Sequence, residues 1–256
     1  MTLRWLSPAL LSACTAAAPE PAAYVARPAP LTRADTLVFA AIDSAGQWAL
    51  DDATVSFRLR GGVYGLDRRG GAYVYTRTFA DSTGARVEDL LTNDGFRRRR
   101  DGRAAYLRPP EDSAAREALN SVIYFAFLPR WLADGGAVRE YEGLDTLRGR
   151  AYHRVRVTFR EEGGGVDYRD EFRYWFAADD LGLDYLAYAY ATDGGGVRFR
   201  EAFNERTVGE IAVRDYRNYR PAPGEEVGLD EIAAAWEIGD LELLSTIALE
   251  EVRVGR

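Results

Sequence analysis

Lysine is missing from this chain, and cysteine, histidine and methionine occur once each in 256 residues. A lone Cys14 makes a disulfide within the chain impossible. A Cys/His zinc site needs several such ligands, so none is expected. Any Ser–His–Asp or Cys–His triad would have to run through His153. The many Asp and Glu residues show no spacing that singles out an acid/base couple. No catalytic constellation, cofactor or metal is therefore expected, and the sequence reads as non-enzymatic. A membrane-crossing helix needs roughly 20 consecutive apolar residues, and no such run occurs. Positive charge is also in deficit. Forty acidic residues against 33 basic ones leave a net charge of −7, which argues against a nucleic-acid partner.

Tyrosine and glycine are plentiful, at 15 and 25 residues, which suits a sheet protein with many turns. With Lys absent, every cation is an always-charged guanidinium able to grip a carboxylate with two hydrogen bonds.

Residues 1–14 carry a motif. Arg4 precedes a short apolar run ending in small residues, and Leu11-Ser12-Ala13-Cys14 resembles the lipobox of bacterial lipoproteins. The resemblance implies a signal peptide over 1–14, lipidation at Cys14 and attachment to a membrane. Residues 15–31 are rich in Ala and Pro, as a semi-extended tether would be. Residues 32–256 are expected to form one folded domain.

Within that domain, 32–44 reads as a helix: Thr32 can cap, Asp35 is the acidic partner three residues on, and Leu37, Val38, Ala41 and Ile42 form one stripe. Short runs at 54–60, 63–67, 73–79, 87–91, 96–100 and 104–107 read as strands. Turns at Gly61-Gly62, Gly70-Gly71, Asn93-Asp94-Gly95 and Asp101-Gly102 join them as hairpins. A second set at 151–160, 169–177, 183–191, 197–206 and 209–219 has equally short connections, so it too is an antiparallel meander. A short helix at 229–236 follows, and one strand over 241–254 is expected to pair with a sheet edge.

Residues 111–127 form the long helix. Pro109-Pro110 lead into it, and Glu111 and Asp112 favour its positive end. Leu119, Val122, Ile123, Ala126 and Phe127 make its apolar face. Tyr124 and Phe125 render the last turns apolar nearly all round, so this end needs burial on more than one side. It either plugs the sheet or covers an apolar cavity.

The segment from Glu142 to Tyr152, Glu-Gly-Leu-Asp-Thr-Leu-Arg-Gly-Arg-Ala-Tyr, resembles the loop and strand of outer-membrane lipoprotein-carrier (LolA/LolB-like) domains. Four further motifs, starting at Asn120, Asp184, Gly196 and Asp215, resemble a family of bacterial lipoproteins of unknown function within that superfamily. The resemblance spans about residues 34–220. It implies a mainly β, α+β fold: a curved antiparallel half-barrel with helices on its concave face, and in the carriers an apolar cavity for lipid chains. It carries no catalytic residues across, and it implies a bacterial envelope location, lipid-anchored at the outer membrane and facing the periplasm.

Two functions follow as expectations. In the first, the half-barrel holds a lipid or other apolar ligand, with Val122, Tyr124, Phe125, Tyr185 and Tyr188 as cavity candidates; the same aromatics could equally be filled core. In the second, the protein docks a protein or glycan partner through an Arg/Glu-rich sheet face, with Arg198, Arg200 and Asn204 as candidates. The plain reading of that face is a solvent-facing lattice of cross-strand ion pairs, each contributing less than about 1 kcal/mol. Likewise the four consecutive Arg at 97–100 could meet phosphate or lipid headgroups, or simply form an exposed strand. The loop 161–167 resembles neither a phosphate nor a calcium loop and is expected to be a hairpin tip.

Overall fold

The computed structural model describes residues 31–160, 170–191 and 195–255. Cys14, residues 15–30 of the tether and the 161–167 loop therefore lie outside the described residues.

The first helix, α1 (Arg33–Ser44), starts as its sequence dictates. Thr32 Oγ1 accepts from the Asp35 N–H at 3.1 Å, and the Asp35 carboxylate accepts from the Thr32 N–H at 2.9 Å. This reciprocal capping satisfies two of the helix's orphan donors. Ala34, Leu37, Val38, Ala41 and Ile42 are its buried stripe. Gly46 turns the chain with φ +64°, in the left-handed region. A Cβ there would lie 1.9 Å from the Glu210 carbonyl oxygen, so two backbones meet where no side chain fits.

Six hairpin-connected strands follow: β1 (Thr54–Leu59), β2 (Gly62–Arg69), β3 (Ala72–Ala80), β4 (Arg86–Thr92), β5 (Gly95–Arg100) and β6 (Arg103–Ala105). The long helix α2 (Pro109–Ala126) comes next. Then β7 (Ala137–Leu147), β8 (Arg150–Phe159), β9 (Glu171–Ala177), β10 (Leu183–Tyr190), β11 (Gly196–Val208) and β12 (Ile211–Pro221) form the second meander. Helix α3 (Ile232–Ile238) and strands β13 (Leu241–Ile247) and β14 (Glu250–Gly255) complete the order.

Among the described residues the strands make two open, antiparallel, seven-stranded sheets. Their orders are β14-β1-β2-β3-β4-β5-β6 and β13-β12-β11-β10-β9-β8-β7. The mainly β class, the two meanders and the helices packed on the sheets are as expected from the sequence. Three details differ. An eleven-residue strand, β7, precedes the first one anticipated in the second meander. Helix α3 begins at Ile232 rather than at 229.

The third difference is larger. The single strand expected over 241–254 breaks in two and serves both sheets: β13 pairs with β12, and β14 pairs with β1. The break is fixed by a buried carboxylate. Asp215 on β12 accepts from the Leu249 N–H at 2.9 Å, and Arg206 donates to the Leu249 carbonyl. Both backbone groups of Leu249 are thereby satisfied off the ladder.

Strand alternation sorts the second sheet's side chains onto two faces. Phe172, Tyr174, Phe176, Leu186, Val155 and Val157 pack with the α1 stripe. On the opposite face, Trp175, Tyr185 and Phe199 pack under Trp236 of α3. Covered on both sides, β9 is buried from Phe172 to Ala177. The other main cluster joins the first sheet to α2: Val55, Phe57, Leu66, Tyr75 and Leu91 meet Leu119, Ile123 and Phe127.

Candidate functional site

The C-terminal turns of α2 are wedged between the sheets, because residues 122–127 are apolar on nearly every side. Ile123 and Phe127 belong to the cluster on the first sheet, while Phe125 and Tyr124 reach the second. Buried Gln47 ties this end down. Its amide donates at 3.0 Å to the carbonyls of Leu128 and Ala212, and it accepts from the Arg130 N–H at 3.0 Å. Trp131 Nε1 in turn donates to the Ile123 carbonyl at 3.1 Å. Three elements are thus locked by side chain–backbone bonds with no solvent competitor.

Beside this wedge lies a cavity of about 510 Å³. The first sheet contributes Tyr73 and Tyr75 to its lining, α2 contributes Tyr124 and Phe125, and the second sheet contributes Phe159, Phe172 and Tyr188. Exposed Gly71, Asn93 and Asn120 border it at the surface. The aromatic walls are in mutual contact. The Phe125 ring sits 5.4 Å from that of Tyr188, and Phe172 stacks on Tyr188 at 5.5 Å. Such pairs add to the burial of their apolar area.

The walls also carry polar groups, among them Arg68, Ser121, Asp134 and Asp170. The Tyr124 and Tyr174 hydroxyls share a hydrogen bond at 3.2 Å. Burial pushes both phenols above their ordinary range, so both stay protonated. Tyr124 lines the cavity while its hydroxyl is engaged by Tyr174. Arg68 stacks 4.8 Å over Trp131 and donates to the Tyr75 hydroxyl at 3.3 Å. Asp134 is ion-paired with Arg130 at 3.2 Å, and Asp170 is also engaged.

The structure brings Tyr124, Phe125 and Tyr188 together at this cavity. Val122 instead packs against the cluster on the first sheet, and Tyr185 lies on the opposite face of the second sheet, 4.9 Å from Trp236. The three polar-face candidates do not form one surface. Arg198 borders an open groove with Tyr190 and Arg220. Asn204, at φ +49°, donates to Asp215 at 2.7 Å where β11 slips register. Arg200 corrects the expectation of a solvent-facing position. It is buried on the inner face, its guanidinium 3.8 Å from the centre of the Phe125 ring, and it donates to the Tyr188 hydroxyl at 3.0 Å.

An ion-pair lattice does occupy the outer face of the second sheet, through other residues. Arg156 pairs with Glu140 and Glu171, Arg154 with Glu142 and Asp145, and Arg173 with Glu142, Glu171 and Asp230. The Arg97–Arg100 run alternates. Arg98 and Arg77 clasp the buried Asp89, Arg100 pairs with Asp81, and Arg97 and Arg99 are exposed. His153 is engaged by the Tyr141 hydroxyl at 3.0 Å, and burial lowers its pKa. Among the described residues, no group of three or more His, Cys, Asp or Glu is placed to hold a metal ion.

The first sheet's share of the cavity was not anticipated, yet a signal existed. Tyr73, Tyr75, Arg77 and Phe79 alternate along β3, and cross-strand register sets Tyr75 beside Leu66 and Leu91 in the core. One face of that strand had to meet α2.

Several solved structures align with this chain at low identity. A LolA superfamily protein from Nitrosomonas europaea aligns over 87% of this chain and 94% of its own, with 8% identity and a TM-score of 0.48. A DUF1329 family protein from Desulfovibrio piger covers 87% and 93%, with 11% identity and a TM-score of 0.41. The lipoprotein LppX from Mycobacterium tuberculosis covers 63% and 91%, with 15% identity and a TM-score of 0.26. A comparison with curated proteins finds no match. The model of a family of unknown function, DUF6503, matches residues 60–246, and the chain belongs to that family.

Proposed function

We propose that this protein is a lipid-anchored component of the bacterial envelope that binds a lipid or other apolar ligand in the cavity beside α2. The observation that carries this reading is the aromatic lining drawn from both sheets and one helix around about 510 Å³. That volume lies within the range of small-ligand sites, as does the mixture of apolar walls with a few placed polar groups. The lipobox at Cys14 and the Ala/Pro-rich tether support the envelope location, with the domain held off an outer-membrane surface in the periplasm. Binding of this kind needs no catalytic group.

Docking of a protein or glycan on the outer sheet face is less well supported. Arg154, Arg156 and Arg173 are already committed to carboxylates of the same face, which leaves them little capacity for a partner.

The test is saturable binding of a neutral hydrophobic dye to the purified protein, followed by native mass spectrometry and organic extraction. A lipid-sized mass that co-purifies with wild type and is lost in a folded Phe125→Asp variant is expected. Unchanged retention in that variant would sink the cavity reading. Separately, Cys14→Ala is expected to move the protein from the membrane to the soluble fraction. If it stays with the membrane, the anchor is something else.

A further inference from the structure

Four arginines are buried among the described residues: Arg130, Arg173, Arg200 and Arg214. Three have carboxylate partners, namely Asp51 and Asp134 for Arg130, three acids for Arg173, and Glu205 for Arg214. Arg200 has none among the described residues. It is 7% exposed, and its Nε is buried without a hydrogen-bond acceptor. A desolvated guanidinium is costly unless something negative or strongly polar faces it. What faces it is the Phe125 ring at 3.8 Å and the Tyr188 ring at 5.2 Å, and these cation–π contacts offset part of that cost.

The hydrogen bond to Tyr188 has a direction. Arg200 Nη2 donates to the Tyr188 oxygen at 3.0 Å, so that phenol accepts from a cation and presents its own proton elsewhere. No hydrogen bond among the described residues takes that proton, and Tyr188 lines the cavity. The opposite wall repeats the device, with Arg68 donating to Tyr75 and both residues in the lining. Two phenols, each polarised by an arginine, thus border one aromatic space. The carboxylates there, Asp134 and Asp170, are engaged.

From this arrangement we infer that the ligand is an anionic amphiphile, with a carboxylate or phosphate head received by the Tyr188 hydroxyl, which Arg200, itself outside the cavity lining, polarises, and a hydrocarbon chain along Phe125, Phe159 and Phe172. The inference rests on the cavity-binding reading and narrows it. A neutral apolar ligand would leave Arg200 as costly in the complex as in the free protein. An oxyanion bound to the Tyr188 hydroxyl would bring a negative charge close to Arg200.

The test displaces Nile red from the purified protein with palmitate, with hexadecanol and with palmitoyl lysophosphatidate. Palmitate is expected to displace the dye at a concentration about tenfold or more below that of hexadecanol, the usual scale of a hydrogen bond to a charged group. Arg200→Gln is expected to bring palmitate down to the hexadecanol value, with hexadecanol itself unmoved. Because Arg200→Gln could disturb folding, Tyr188→Phe provides a near-isosteric second variant, expected to lower the palmitate preference severalfold. Lysophosphatidate as potent as palmitate would show that the site takes either oxyanion. Palmitate alone would assign a carboxylate. Equal potency of palmitate and hexadecanol on wild type, or an unchanged preference in both folded variants, would overturn the inference while leaving the cavity reading intact. Absence of saturable Nile red binding would overturn both.

Discussion

Removing the Asp215 carboxylate should cost more than any surface ion pair in this protein. Its side chain is 4% exposed and accepts from three donors: the Leu249 N–H at 2.9 Å, Asn204 Nδ2 at 2.7 Å and Arg206 Nη1 at 3.1 Å. Hydrogen bonds to a charged acceptor contribute about 1.5–3 kcal/mol each, and deleting one partner of a buried pair costs about 3–5 kcal/mol. The three do not add, because Asn204 is exposed and Arg206 is 29% exposed, so both recover water once the acid is gone. The Leu249 amide, inside the seam between the sheets, does not. The expected loss for Asp215→Ala is therefore about 3–4 kcal/mol, or a fall in Tm of about 6–16 °C for a domain of this size. Asp215→Asn keeps the shape and one acceptor and should lose about half as much. Urea unfolding followed by circular dichroism reads this as a shift in midpoint at constant slope. A double-mutant cycle with Arg206→Ala should show coupling above about 1 kcal/mol. A loss below about 1 kcal/mol for Asp215→Ala would refute the view that this carboxylate holds the seam.

Other perturbations read other parts of the structure. Gly46→Ala drives a Cβ to 1.9 Å from the Glu210 carbonyl oxygen at positive φ and should cost about 2 kcal/mol or more by thermal melting; a neutral effect would show that the α1–β12 contact is loose. Acid titration tests the outer lattice. Hydrogen bonds from Arg156, and then from Arg173, lower the Glu171 pKa from 4.5 to about 2. A depressed acid stabilises the fold above its unfolded pKa, so this contribution is present above about pH 4.5 and lost as pH falls toward 2. After screening of a group about one-third exposed it amounts to about 1–2 kcal/mol. Glu171→Gln should flatten that part of the pH–stability curve, and an unchanged curve would mean the lattice is electrostatically idle. Trp236→Ala removes the ring that packs on Phe199 at 5.0 Å and Tyr185 at 4.9 Å. Seven-residue α3 cannot persist without packing, so hydrogen exchange should accelerate over 232–238 while the sheets keep their protection. Global unfolding instead would show α3 to be integral to the core.

How legible these features were depended on the range of the interaction that fixes them. The α1 cap and the Asn93-Asp94-Gly95 turn are set by residues a few positions apart, and the sequence shows them directly. Strand β7 was obscured because Gly143, at φ +112°, interrupts its alternation where the register slips. The 247–250 break was hidden because no Gly or Pro marks it in Ile247-Ala248-Leu249-Glu250; the cause is Asp215, on another strand. Arg200 was grouped with Arg198 and Asn204 on a polar face, but the period of two cannot say which face is inside. That depended on where α2 brings Phe125.

Strand β14 has a consequence for how the protein is made. Because it is the outer neighbour of β1, with Val55 opposite Val254, an early-synthesised strand waits for a late-synthesised one. Until residues 250–255 emerge, β1 offers a bare, hydrophobic-alternating edge, with Val55, Phe57 and Leu59 ready to template the wrong neighbour. Nascent chains stalled before residue 241 should therefore capture hydrophobic dyes and associate. The sequence distance between the paired strands makes this a nonlocal contact, whose loop closure slows folding. A chaperone that shields this edge would do more for yield than any added stability in the finished protein.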